Sequence, residues 1–224
     1  MSPLPLGQLG WAAALLVASF FLGSIPFGYW IGCRLGIDLR TQGSGNIGAT
    51  NAWRVLGARW GCWIFFLDFL KGALPAGVGL HLSTTPSVPI ADALGSLAGL
   101  ASILGHNFTP WLRGRGGKGI ATSAGVLLVL VPWAFLVLVG IWGGLFLLCR
   151  IVSIASLGAA LVFPISTGLL YPGRWVLLAF SLLASLLAIL RHRSNIRRLF
   201  QGTEACFRRN GEKTCPAHDR NRRE

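Results

Sequence analysis

Thirty consecutive residues, Ile120 to Cys149, carry no charge. An α-helix rises 1.5 Å per residue, so about twenty apolar residues cross the roughly 30 Å hydrocarbon layer of a bilayer, and an uncharged run longer than that has no place on a water-facing surface. Leu9–Cys33 is also uncharged, and Gly61–Leu80, Ile90–His106, Ile151–Leu170 and Trp175–Leu190 are nearly so. Charged residues make up only 12% of the 224, about half the usual share of a soluble domain, and the mean hydropathy is +0.62. These features predict an all-α integral membrane protein. One polytopic domain spans residues 1–204, and the basic stretch 205–224 is too polar to bury a core and reads as a disordered tail.

Pro132 divides the long run, and a hairpin there returns its bracketing cations Lys118 and Arg150 to one side. That gives a bundle of about seven transmembrane helices with the N-terminus outside and the C-terminus cytoplasmic. Eighteen of the twenty Lys and Arg residues then face inward, with Arg174 outside and Lys71 buried, as the positive-inside rule requires. The first run has no basic residue before it and no evident cleavage site, so it is kept as a span and not as a signal peptide. Pro26, flanked by Gly23 and Gly28, is expected to kink it. Ala93, Gly95, Ser96, Ala98, Gly99, Ala101 and Ser102 predict a span whose neighbours approach closely, at the centre of the bundle. Asp68 and Lys71 stand three apart on one helical face, a spacing that suits a structural ion pair and a substrate role equally.

The formal charge of +13 does not point to nucleic acid, because the cations sit at the ends of apolar runs and in the tail. Their natural partners are the lipid bilayer and small anionic substrates. Two glycine-punctuated loops are placed on the same face. In the first, Gly43, Gly45 and Gly48 alternate with Ser44, Asn46, Thr50 and Asn51, ahead of Arg54. In the second, His106 precedes Arg113, Arg115, Gly116, Gly117 and Lys118. Glycines let backbone N–H groups approach an anion, and cations complete its neutralisation. The predicted topology adds Ser153, Ser156, His192 and Asn195 to this anion site.

Several chemistries are excluded. No carboxylate pair has the spacing of a metal site, so neither a metal nor any other cofactor is expected. Gly119 follows Lys118, which breaks the nucleotide P-loop pattern, and there is no G-x-S-x-G elbow. Cys33, Cys62 and Cys149 read as small hydrophobes, and the five cysteines form no disulfide framework. Cys206, Cys215 and His218 lack a fourth ligand and are not read as a zinc site.

The motifs G-S-I-P-F-G (23–28), G-S-G-N-I-G-A-T-N (43–51) with Arg54, L-D-F-L-K-G (67–72), G-H-N-F (105–108), G-G-K-G (116–119), the serines after Arg150, and R-H-R-x-N (191–195) occur in an order that resembles the bacterial acyl-phosphate:glycerol-3-phosphate acyltransferases. The resemblance covers Gly23 to Glu204 and implies a multi-pass enzyme of the bacterial cytoplasmic membrane, with its active site on the cytoplasmic face. It implies transfer of a fatty acyl group from acyl phosphate to the 1-hydroxyl of glycerol 3-phosphate, giving 1-acylglycerol 3-phosphate and phosphate without a covalent acyl-enzyme. By the same resemblance Ser44, Arg54 and Lys118 hold phosphate groups, Ser153 and Ser156 complete the pocket, and His192 with Asn195 contacts the glycerol phosphate. No cofactor or obligate protein partner is implied. Ile47 stands where many relatives have proline. A competing reading, a transporter of a phosphorylated or anionic solute, meets no inverted repeat in the chain.

Overall fold

The structure is a computed structural model that describes residues 6–82 and 88–207. Among these residues the only regular elements are helices: α1 (Leu6–Ser24), α2 (Phe27–Arg34), α3 (Ala49–Leu56), α4 (Ala58–His81), α5 (Val88–Asn107), α6 (Ile120–Leu130), α7 (Pro132–Cys149), α8 (Val152–Leu170), α9 (Trp175–Arg191) and α10 (Arg193–Phe200), with one 3₁₀ turn at Pro110–Leu112. Five segments are long and apolar enough to cross a membrane: Gly10–Arg34, Ala58–His81, Val88–Leu112, Pro132–Cys149 and Val152–Leu170. A sixth appears if α9 and α10, bent by 56°, count as one span. The remaining apolar helix, α6, has 11 residues and rises only about 16 Å, so length alone does not bring the count to the seven expected.

Proline breaks the chain where the sequence placed it. Pro26 separates α1 from α2, and the carbonyls freed by the break find donors in α4 and in the segment that follows α5. Lys71 Nζ donates to the Ile25 carbonyl at 2.8 Å and Thr109 Oγ1 to the Ser24 carbonyl at 2.6 Å. Lys71 also pairs with Asp68 at 2.7 Å, both side chains being almost fully buried, so the pair joins α4 to the broken first span. Val131 ends α6, and the apolar run resumes as α7 at Pro132. Near the opposite end of the bundle, the Arg174 guanidinium donates both Nε and Nη2 to the buried Asp92 carboxylate, tying the start of α9 to α5.

Close helix approach follows from glycine. A Cβ on Gly105 would lie 2.1 Å from the Phe20 carbonyl, one on Gly72 2.0 Å from the Thr122 carbonyl, and one on Gly125 2.0 Å from the Phe69 carbonyl. These contacts clamp α5 to α1 and α6 to α4, the small-residue packing expected of helices in lipid. The apolar core is formed by Ile103, Val126, Leu130, Ala134, Leu138, Phe163, Leu177 and Phe180, drawn from α5 through α9.

Two helices lie inside stretches read as polar loop or polar end, namely α3 and α10. Their length of eight residues each falls below what sequence periodicity resolves, and tertiary contacts stabilise them. The reading of the cysteines also changes: Cys206 is disulfide-bonded. The chain remains packed through Phe207, whose N–H donates to the Arg150 carbonyl at 2.9 Å. The rest of the tail, with Cys215 and His218, lies outside the described residues.

Substituting Gly125→Val tests the packing directly. It is expected to destabilise the detergent-solubilised protein by about 1–3 kcal/mol, read as a lower thermal midpoint, whereas Gly143→Val, with open space around it, leaves the midpoint unchanged.

Candidate functional site

The first glycine loop is built around Asn51. Its Nδ2 donates to the carbonyls of Leu39 (3.1 Å), Gln42 (3.0 Å) and Asn46 (2.9 Å), and its Oδ1 accepts from the Ser44 N–H at 2.8 Å. This buried side chain therefore shapes the loop from within instead of reaching toward a ligand. Gly43 and Gly45 take positive φ of 59° and 71°, and a Cβ on Gly43 would meet Asn51 Oδ1 at 2.3 Å. Asn46 Oδ1 accepts from the Gly48 N–H at 2.8 Å, just before Thr50 in the first turn of α3. The outcome is a half-buried Ser44 whose backbone is fixed beside the start of a helix that carries Arg54 in its last turn.

In the second loop, the N–H groups of Gly117 and Gly116 donate to the carbonyls of His106 (3.1 Å) and Asn107 (3.2 Å). Their carbonyls accept from Arg191, at 2.8 Å for Gly117 and 3.0 Å for Gly116. These glycines make a close backbone crossing: a Cβ on Gly117 would sit 2.1 Å from His106 Nε2. His106 lies below them, 5% exposed, with Nδ1 3.7 Å from Asp68 Oδ1. The donors that remain toward an anion are Lys118 and the N-terminus of α6, which begins after Gly119 in left-handed conformation.

Between these loops lies Glu204, 6% exposed. Its Oε1 accepts from Ser153 Oγ at 2.8 Å and Asn195 Nδ2 at 2.5 Å, and its Oε2 from Arg198 Nε at 2.7 Å. Burial pushes this carboxyl upward, but the hydrogen bonds from Asn195, Arg198 and Ser153 outweigh it and hold the group below the usual carboxylate range. Lys118 is pushed down to about 8, chiefly by burial; Glu204 opposes the shift, while Arg198, Arg54 and Arg191 reinforce it. Burial likewise lowers Arg54, whose Nη2 donates to the Ala205 carbonyl at 3.2 Å and whose guanidinium lies over the Phe207 ring at 4.8 Å.

The structure thus brings Arg54, Lys118, Ser153 and Asn195 together around one carboxylate. His192 is buried beside them, its Nδ1 2.7 Å from the Ala188 carbonyl, and Lys118 is among its charge neighbours. Ser156 accepts from the Trp142 indole at 3.2 Å and so turns toward α7. Arg113 and Arg115 line a different cleft, with Tyr29, Arg40, Trp111 and Leu112. Sequence reasoning missed Glu204, Arg191 and Arg198. The available signal was that Glu204 is the sole acidic residue between Asp92 and Glu212, set just beyond a basic run.

Removing the Glu204 carboxylate leaves Arg198 unpaired and Ser153 and Asn195 without their acceptor. Glu204→Ala is expected to lower stability by about 1–3 kcal/mol, since the Arg198 side chain left behind keeps partial access to water. The exposed Arg197→Ala should change it by less than about 0.5 kcal/mol in the same thermal denaturation series.

Comparison with known proteins places this geometry. The family model described as glycerol-3-phosphate acyltransferase matches residues 13–202. The chain is 40% identical over 195 residues to the glycerol-3-phosphate acyltransferase of Geotalea daltonii, covering 87% of this chain and 97% of that one. It is 42% identical over 199 residues to that of Aquifex aeolicus, covering 88% and 99%. A crystal structure of PlsY (YgiH), an integral membrane glycerol 3-phosphate acyltransferase in its glycerol 3-phosphate form, superposes with a TM-score of 0.81 at 39% identity, over 88% of this chain and 96% of that one.

Proposed function

The chain belongs to the glycerol-3-phosphate acyltransferase family and is an acyltransferase, and we propose that it transfers a fatty acyl group from an acyl phosphate to the 1-hydroxyl of sn-glycerol 3-phosphate. The observation that supports this most is the grouping of Arg54, Arg191 and Arg198 about Lys118, with Glu204 as the carboxylate among them. That set retains a surplus of positive charge where the two glycine loops meet, as two phosphate-bearing reactants require.

An acyl phosphate is a mixed anhydride with a good leaving group, so the enzyme needs to neutralise and orient its reactants more than to activate them. The hydroxyl oxygen of glycerol 3-phosphate attacks the acyl carbonyl carbon, the bond from that carbon to the phosphate oxygen breaks, and inorganic phosphate leaves. A substrate phosphate oxygen takes the hydroxyl proton, and no covalent acyl-enzyme forms. Lys118, Arg54 and Ser44 hold phosphate, Ser153 and Asn195 shape the pocket through Glu204, and His192 lies against the glycerol moiety. The inward excess of Lys and Arg supports a bundle of about seven passes with this site on the cytoplasmic face of a bacterial membrane.

Two measurements test the reading. Purified protein should release inorganic phosphate from palmitoyl phosphate only when glycerol 3-phosphate is present, and Arg54→Ala and Lys118→Ala should each lose roughly a hundredfold or more in kcat/KM while staying monodisperse. Phosphate release without the acceptor, or full activity in both variants, contradicts it. Lys118 carries its charge below its pKa of about 8 and loses it as pH rises through that value. The basic limb of kcat/KM is therefore expected near pH 8 and should move upward in Lys118→Arg.

A further inference from the structure

Arg113 and Arg115 help to line a second cleft of about 420 Å³, together with Tyr29, Arg40, Trp111 and Leu112. None of these six residues belongs to the Glu204 cluster. The volume lies within the range of small-molecule sites. Three guanidinium groups converge here, and Arg40 is the only one with a carboxylate partner among the described residues: its Nε and Nη2 donate to Asp38, the latter at 2.6 Å. The cleft therefore carries excess positive charge.

Its walls are held by specific contacts. Arg40 lies over the Tyr29 ring at 4.5 Å. The Trp111 indole donates to Ser24 Oγ at 2.9 Å and stands 6.5 Å from the Trp30 ring. Arg113 occupies the left-handed region at φ 53°, a conformation that costs a non-glycine residue free energy and that a turn between Thr109 and Gly114 maintains. Arginine forks match phosphate oxygens, so the ligand class is a phosphate group. Trp30 and Trp111 stand near the ends of the Gly10–Arg34 and Val88–Leu112 spans and are 44% and 55% exposed. Exposed tryptophans at a helix end mark the headgroup level of a bilayer, which favours a lipid-borne phosphate over a dissolved one.

We propose that this cleft is a second phosphate site, separate from the acyl-transfer site, which holds the headgroup phosphate of an anionic lipid from the surrounding leaflet. The test is retention of dioleoyl phosphatidic acid by the full-length, detergent-purified protein, titrated by native mass spectrometry against dioleoyl phosphatidylcholine. Wild type and the Arg54→Ala/Lys118→Ala variant should retain phosphatidic acid in preference to phosphatidylcholine. Arg113→Gln/Arg115→Gln should bind it at least roughly tenfold more weakly. Arg115→Glu, at an exposed position, should weaken it as much and provides the same reading if the double variant aggregates. Unchanged retention in the Arg113 and Arg115 variants overturns the proposal, as does its loss in Arg54→Ala/Lys118→Ala, which would put the lipid in the acyl-transfer site. Displacement of the lipid from Arg54→Ala/Lys118→Ala by glycerol 3-phosphate or inorganic phosphate overturns the lipid assignment in favour of a dissolved ligand.

Discussion

Lys118, in the second glycine loop, has Arg54, Arg191 and Arg198 as charge neighbours, and Glu204 is the carboxylate among them. Two like charges 4 Å apart repel by about 4 kcal/mol at an effective dielectric of about 20, so a carboxylate among Arg54, Lys118, Arg191 and Arg198 lowers the cost of grouping them. Glu204 supplies one negative charge and is held ionised by Ser153, Asn195 and Arg198. The cluster keeps an excess of positive charge, which is the electrostatic preorganisation that the proposed transfer between phosphate-bearing reactants would use.

The rest of the fold serves to bring distant segments to that junction. Asn51 closes the first loop so that α3 presents Arg54. Arg191, at the end of α9, fixes the Gly116 and Gly117 carbonyls, which places Lys118 and the start of α6. Deeper in the bundle, the Asp68–Lys71 pair and the break at Pro26 lock α4 against the first span, beneath His106 and the second loop. Several of the polar groups that are costly in hydrocarbon join segments far apart in sequence, as Lys71 does with the Ile25 carbonyl, Thr109 with the Ser24 carbonyl and Arg174 with Asp92.

Much of this was legible from residue patterns. Apolar runs and prolines announced the long helices to within a few residues, because helix length in lipid is set by bilayer thickness and proline removes a backbone donor. Cation asymmetry and the glycine motifs pointed to Arg54, Lys118, Ser153 and Asn195. What stayed hidden depended on contacts between distant residues. Glu204 looked like one acid at the edge of a polar tail, and only folding places it under Ser153. Asn51, Gly116 and Gly117 carry the composition of a ligand loop, but the structure uses their hydrogen bonds and close approaches internally. Arg113 and Arg115 are near neighbours of Lys118 in sequence, yet a single left-handed residue and one tight turn direct them into another cleft.

The central claim is that Arg54 and Lys118, 64 positions apart, act on phosphate in one shared pocket. A double-mutant cycle on kcat/KM for phosphate release measures this most directly, using Arg54→Ala, Lys118→Ala and the combined variant. A shared pocket predicts losses that fail to add, with a coupling of about 1 kcal/mol or more. Losses that add to within about 0.5 kcal/mol would show two independent sites and contradict the account.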